Sequence, residues 1–169
     1  MTGGAALILQ LHPTWTVAQI KSALVNSTAT NVVTSTGSTT PAGVLSVGAG
    51  RIDLARASAV NATLAPSSLS FGIHKLNSIG KAVTLVQTLN ITSVAAGTTT
   101  FNISVNAPQA TGVTVSLSSK SLSLSPGGTQ QIQLTIAAKK NAQRGNFSGL
   151  LVVSSSSSQA LRVPFWVKF

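Results

Sequence analysis

The sequence contains no cysteine and no tyrosine. Without cysteine there are no disulfides, no zinc–thiolate sites and no thiol nucleophile. Without tyrosine, a common stacking residue for nucleic-acid bases is missing. Acidic residues are almost absent as well. Asp53 is the single carboxylate side chain, against eleven lysines and arginines, for a formal net charge of +10. One acid cannot form the carboxylate pair of glycoside hydrolysis, nor a calcium cage built from carboxylates. Charged residues of both signs make up only 7% of the 169 positions, where an ordinary globular protein has roughly 25%.

A basic chain invites a nucleic-acid reading, but the placement argues against one. Lys21, Arg51, Arg56, Lys75, Lys81, Lys120, Arg144, Arg162 and Lys168 are isolated, and only Lys139 and Lys140 are adjacent. No basic stripe results. Long apolar runs are missing too. The longest, "AALILQL", is far short of the roughly 20 residues of a membrane-spanning helix, so no membrane span is expected. It has no preceding positive charge and no small-residue cleavage site after it, so no export signal is expected either.

Hydrophobic residues make up 43% of the chain, enough for a core. The first 28 or so residues read as two helices. Thr16 and Gln19 have the spacing of a capping box, and Val17, Ile20 and Leu24 form a stripe at helical period. The preceding "GGAALILQLH" is apolar nearly all round, which predicts a helix buried between layers. Both helices need partners, and the sequence offers few. Residues 29 to 47 are rich in Thr, Ser and Gly and read as a surface loop. In "GAGRIDLARASAV", Asp53 stands at the front of a short helix, where the helix dipole favours an acid, with Arg56 on the solvent face. Pro66 marks a linker.

From Ser68 the period changes to two. Val83, Leu85, Leu89 and Ile91 share one face, as do Phe101, Ile103 and Val105, then Val113, Val115 and Leu117, then Leu122 and Leu124, then Ile132, Leu134 and Ile136. "GLLVVSSS" and "ALRVPFWVKF" complete the series. "PGG" at 126 to 128, "RGN" at 144 to 146 and the serine run at 154 to 158 read as turns. Short alternating strands at regular spacing predict an all-β sandwich, and its hundred or so residues suffice to fold independently. Pro164 predicts an edge strand or a bulge.

The stretch "GGAALILQLHPTWTVAQIKSALVNSTA", followed by "GAGRIDLARA", resembles the end of the catalytic domain of subtilisin-like serine proteases, the subtilases. In that family a segment reading like G-T-S-M-A-x-P-H-V-A-G carries the nucleophilic serine, and Gly3 falls on the last glycine of that segment. His12, Pro13, Trp15, Ile20, Lys21, Leu24, Gly48, Gly50, Ile52 and Asp53 fall on the family's later pattern, P-x-[WL]-[ST]-x-x-x-[IV]-[KR]-x-x-[LI], then T-A, then G-x-G-x-[IV]-[DN]. The second region resembles the fibronectin type III-like domain that follows many secreted bacterial subtilases: "PSSLSFG" is similar to its opening, "SLSLSPGGTQQIQLTI" to its middle and "LRVPFWV" to its close. The resemblance implies a mixed fold. Residues 1–65 are an incomplete, short α-helical remnant of an α/β catalytic domain, and residues 66–169 an all-β immunoglobulin/fibronectin III-like sandwich. It also implies that the family's aspartate, histidine, oxyanion-hole asparagine and serine would lie before Met1, as in a reading frame that starts inside a longer gene.

A serine hydrolase needs a base bonded to its nucleophile and an acid to orient that base. His12, His74, Asp53 and many serines are present, but no G-x-S-x-G elbow. Neither glycine pair, in "SPGGTQ" or "TGGAA", has a phosphate-loop context. The expectation is no catalytic, cofactor-binding or metal-binding residue, and no cofactor. Five N-x-[ST] triplets, at Asn26, Asn61, Asn90, Asn102 and Asn146, are glycan acceptors only in a secretory pathway, and Trp15 and Trp166 read as packing residues. Two functions remain open. The first is a noncatalytic C-terminal portion of a secreted endopeptidase, its parent extracellular or in the cell envelope, with the missing protease domain as partner and self-association through the N-terminal helix as an alternative contact. The second is a free-standing extracellular binding or adhesion module, though such a module has no evident use for the first helical segment.

Overall fold

The computed structural model describes residues 2–76 and 82–169. Two helices, α1 (Thr2–Leu11) and α2 (Val17–Asn26), open the chain, and two short ones follow, α3 (Val44–Val47) and α4 (Leu54–Ser58). Nine strands come next: β1 (Ala62–Ala65), β2 (Leu69–Ile73), β3 (Val83–Ser93), β4 (Thr99–Asn106), β5 (Val113–Leu117), β6 (Ser121–Leu124), β7 (Thr129–Ala138), β8 (Asn146–Ser155) and β9 (Ser158–Lys168). They form two sheets, ordered β1-β3-β7-β5 and β2-β9-β8-β4-β6. All neighbours are antiparallel except β2 and β9, which run parallel with Leu69 beside Phe165. The molecule is therefore a two-sheet sandwich with a few short helices at its N-terminal end.

The alternation read from the sequence is the alternation of burial. Leu89, Ile91, Ile132, Leu134 and Ile136 from one sheet face Phe101, Leu151, Val153, Val163 and Phe165 from the other, and all are buried. Phe147 and Phe165 meet at a tilted 6.1 Å between ring centres, a favoured aromatic geometry. The "PGG" turn joins β6 to β7, "RGN" joins β7 to β8, and the serine run joins β8 to β9. Gly127, in the first of these turns, has φ of 73°, a conformation that costs glycine little.

Three expectations need correction. Pro164 does not lie on an outer strand, because β9 is flanked by both β2 and β8. It is tolerated because the β2 ladder begins only at Phe165, so the first part of β9 has no strand on that side. The sandwich also begins earlier than Pro66: β1, at 62–65, hydrogen-bonds along β3 from Ala62↔Ser93 to Ala65↔Asn90. The loop assigned to 29–47 includes the turn of helix α3 at its end.

The helices find partners that the sequence did not reveal. Gln19 N–H donates to the Thr16 hydroxyl at 3.3 Å, and Thr16 N–H donates to Gln19 Oε1 at 2.8 Å, which forms the capping box. From there α2 lies along β1. Its buried residues are Ser22, Ala23, Leu24 and Asn26, with Ile20 partly buried against the core. Val17, expected on that stripe, is 83% exposed, because it sits at the first turn, before the helix reaches the sandwich. Ser22 turns its hydroxyl to the β1 edge and accepts the Leu64 N–H at 2.7 Å. Helix α1 crosses above α2 and α4 on a narrow side made by Gly4, Ala5 and Ile8. Gly4 allows the close approach, because a Cβ would lie 2.8 Å from the end of the Leu54 side chain, which would have to shift. The expected all-round burial of α1 does not occur: Leu7, Leu9 and Leu11 remain exposed, since the described chain supplies a layer on one side only.

The core is continuous from Ile8 and Leu24 through Leu64 to Phe165. Truncating Leu24 should therefore destabilise helices and sandwich together. For Leu24→Ala we expect a loss of about 2–5 kcal/mol, roughly 4–20 °C in Tm. Far-ultraviolet circular dichroism checks this by following the β signal. An unchanged β transition would mean that the helices dock without stabilising the sandwich.

Candidate functional site

Motif residues from both halves of the chain converge where the end of α2 meets β9. Asn26, the last residue of α2, is completely buried. Its side-chain amide donates to the Ser67 carbonyl at 2.9 Å and to the Arg162 carbonyl at 2.7 Å. One residue thus ties the helix to the β1–β2 connection and to the last strand. Ser27 closes the helix by bonding its hydroxyl to the Ala23 carbonyl. Arg162 answers from the sandwich side, its Nη1 donating to the carbonyls of Thr28 at 3.4 Å and Ala160 at 3.3 Å.

The next motif forms a clasp. Thr28 Oγ1 donates to the Ala49 carbonyl at 2.6 Å. Ala29 and Arg51 exchange both backbone bonds, at 2.8 and 3.0 Å. This closes the 29–51 loop and explains the glycine spacing. Gly50 has φ of +131°, and a Cβ there would run into the Ala29 carbonyl oxygen, so only glycine fits. Three residues on, Asp53 caps α4 by accepting the Arg56 N–H at 3.2 Å and pairs with Arg56 Nε at 3.4 Å. The pair is partly exposed and of small energetic worth. It nevertheless uses the only acid in the sequence.

Arg162 is left without a carboxylate. Burial lowers its pKa, and the positive charge of Arg56 lowers it further. Beside it lies a cleft of about 450 Å³, bounded by Thr30, Val32, Val47, Asn106 and Leu150. This junction holds backbone to backbone through donors.

The histidines lie apart from it. His12, in the turn after α1, stacks on Trp15 with ring centres 3.8 Å apart and planes within 7°. His74, just after β2, bonds through Nε2 to the Phe71 carbonyl at 2.6 Å. The carboxylate of Asp53 bonds Arg56, so these contacts bring no serine, histidine and aspartate together. Among the described residues no group of three or more His, Cys, Asp or Glu could hold a metal ion. Trp15 packs against the core, and Trp166 donates Nε1 to Asn146 Oδ1 at 3.1 Å. Of the five triplets, Asn102 and Asn146 are exposed, Asn61 and Asn90 half-buried, and Asn26 is closed to any modifying enzyme in the folded chain.

Asn26, Ser22 and Arg162 are the residues that sequence reasoning missed. Ser22 and Asn26 are spaced i, i+4 beside Leu24, so two polar residues lie on an apolar helix face. That was the available signal, and the N-x-[ST] triplet drew attention from it.

The family model for the fibronectin type-III domain matches residues 70–167. No curated protein matches the chain. Among solved structures, the ASH/PapD-like domain 7 of human CEP192 is similar at 15% identity and a TM-score of 0.50, covering 65% of this chain and 85% of that one; the likeness is one of fold. A FixG-related protein from Vibrio parahaemolyticus is similar at 11% identity and a TM-score of 0.47, covering 64% of this chain and 96% of that one. The secreted serine protease VesC from Vibrio cholerae is similar at 10% identity and a TM-score of 0.43, covering 59% of this chain and 21% of that one.

The Asn26 junction is open to a charge test. Asn26→Ala leaves two carbonyls without a donor and should cost roughly 2–4 kcal/mol. Asn26→Asp should be worse at neutral pH, because a carboxylate would face two carbonyl oxygens. Burial and those oxygens raise the folded pKa of the new acid above the unfolded value of about 3.9. The penalty should therefore be full above the folded pKa and shrink as pH falls through it. Thermal melts from pH 7 to pH 4 check this. A gap between the two variants that does not narrow would mean that the amide donors are not what Asn26 contributes.

Proposed function

The chain belongs to the fibronectin type-III domain family, and from that premise we propose that it serves as the noncatalytic C-terminal portion of a secreted subtilisin-like serine endopeptidase. The sandwich acts as an accessory domain that stabilises and spaces the protease. The observation that carries this reading is the union of the two halves. The segment bearing the subtilase-like pattern is bonded into the sandwich through Ser22, Asn26 and Thr28, not hung from it on a free linker. In this reading the helical segment through α4 belongs to the catalytic domain, and the sandwich from β1 onward is the accessory one. Leu7, Leu9 and Leu11 of α1 are then covered by the rest of the protease domain, and the parent protein works outside the cell or in its envelope. This chain does no hydrolysis itself.

A free-standing binding or adhesion module is the second reading. One observation favours it: the outer edge of β5 is uncovered among the described residues.

An active-site fluorophosphonate probe tests the first reading on the protein isolated from its native source. We expect peptide mapping to place the label on a serine N-terminal to residue 1, with none on residues 1–169. A native protein that takes no label would overturn the proposal. So would a label on any serine within 1–169 that is lost in His12→Ala or His74→Ala.

A further inference from the structure

Among the described residues four strands end the two sheets, and three of them either carry a covering contact or bury their inward side chains. The edge of β1 is covered by α2, with Leu64 N–H bonded to Ser22. At β2, Gln87 Nε2 reaches the Ser70 carbonyl at 3.1 Å, and Leu69 and Phe71 are buried. At β6, the inward Leu122 and Leu124 are buried. At β5, by contrast, the inward Val113, Val115 and Leu117 are only half-buried.

The reason is a change of sheet. β5 pairs with β7 in one sheet, and after three residues the chain pairs with β4 in the other as β6. β6 covers β4 only over Thr99–Asn102, with one further bond from Ile103 N–H to the Lys120 carbonyl. Among the described residues the rest of β4 has no strand on that side, and a slot opens between it and β5. Two adjoining clefts of about 320 and 430 Å³ fill the slot, sharing Val105 and Val115, with Phe147 at one end and Lys120 at the other.

The backbone of β5 is arranged for a further partner. Lys139 N–H donates to the Gly112 carbonyl at 2.8 Å, and Ser118 N–H donates to the Gln133 carbonyl at 3.0 Å. These bonds bracket the ladder Val113↔Ala138 to Leu117↔Leu134. Antiparallel bonding alternates, so Thr114 and Ser116 bond to β7, while Val115 and Leu117 turn N–H and C=O outward. Val113 spends its N–H on the Ala110 carbonyl at 3.1 Å.

Charge selects the occupant. Lys139 and Lys140 are exposed beside the start of β5, and Lys120 is exposed beyond its end. A second copy joined antiparallel at β5 would set Lys120 of one chain against Lys139 of the other, between bodies each carrying +10; that is repulsive. We propose that the outer edge of β5 docks an extended acidic peptide segment, which adds as a fifth strand to the β1-β3-β7-β5 sheet and lays alternate apolar side chains in the slot beside Val105 and Phe147. Main-chain bonds to Val115 and Leu117 fix its register, the slot selects apolar residues at every second position, and the lysines at both ends select acids. The proposal depends on the fold alone and stands whether or not the protein is part of a protease.

The probe is a capped peptide alternating valine and threonine, with two glutamates at each end, titrated into the full chain at low salt and followed by amide chemical shifts. Saturable shifts confined to β5, Val105 and Phe147 are expected. Replacing the glutamates by lysines, or N-methylating alternate backbone nitrogens, should each weaken binding by about tenfold or more, through lost charge pairing and lost strand bonds respectively. Val115→Pro removes the outward N–H while leaving the bonds of Thr114 and Ser116 to β7 in place, as an edge strand permits. It should abolish the shifts with the β circular dichroism retained. If that variant unfolds, the N-methylated peptide makes the same test from the other side of the interface. No saturable shift, shifts centred elsewhere on the molecule, or equal binding of the N-methylated peptide would each overturn the proposal.

Discussion

A single buried amide sets the relation between the two halves of the chain. Asn26 Nδ2 reaches two carbonyls, on Ser67 and on Arg162, from the last residue of a helix. Asn26 is fully buried, and an unpaired buried acceptor is costly. The helix must therefore end where it does, beside β9, and Ser22 one turn earlier must meet Leu64. That placement fixes the base on which α1 and α4 lie, and from it the 29–51 clasp and the Asp53 cap follow in sequence. The apolar contacts of Ala23 and Leu24 supply most of the burial. They would tolerate a slide along the sandwich that the amide does not.

The scarcity of acid acts over the whole surface. Asp53 is taken by Arg56, and Arg162 is held by carbonyls alone. Most of the other cations face outward without a partner carboxylate in the chain, so the protein presents a positive field on nearly every side. Such a field opposes self-association and draws acidic surfaces. The pattern is set by missing acids more than by added bases, which is why no basic stripe exists to mark one preferred direction.

Much of the sandwich was legible in the sequence. Period-two runs such as Ile132, Leu134 and Ile136 report which side of a strand is buried, and burial follows them closely. Local chemistry was legible too: Thr16 with Gln19, and Asp53 before α4, are contacts within one turn. What a period cannot report is the neighbour. Nothing in "ALRVPFWVKF" says that β9 lies between two strands, nor that its ladder with β2 begins only at Phe165, so Pro164 by itself points to an edge strand or a bulge. Nothing in "NATLA" says that four residues before a proline belong to a sheet. The junction was the least legible of all, because its meaning lies in partners 41 and 136 residues away. A buried polar side chain and a surface one look alike until those partners are known.

The parallel pairing of β2 with β9, together with the bonds from Asn26 and Thr28 to Arg162, has a consequence for how the molecule is made. During synthesis the helical segment is made before β9. Until β9 is free, Asn26 lacks one acceptor and Arg162 is missing, β2 has no ladder, and the second sheet cannot close. Contacts spanning so much of the chain are slow to form, and apolar surface exposed in the interval is prone to associate. Leu24 and Asn26 of α2 thus wait for the strand against which the end of that helix rests. β9 acts as a latch, and closure of the junction becomes a late event in place of a gradual one.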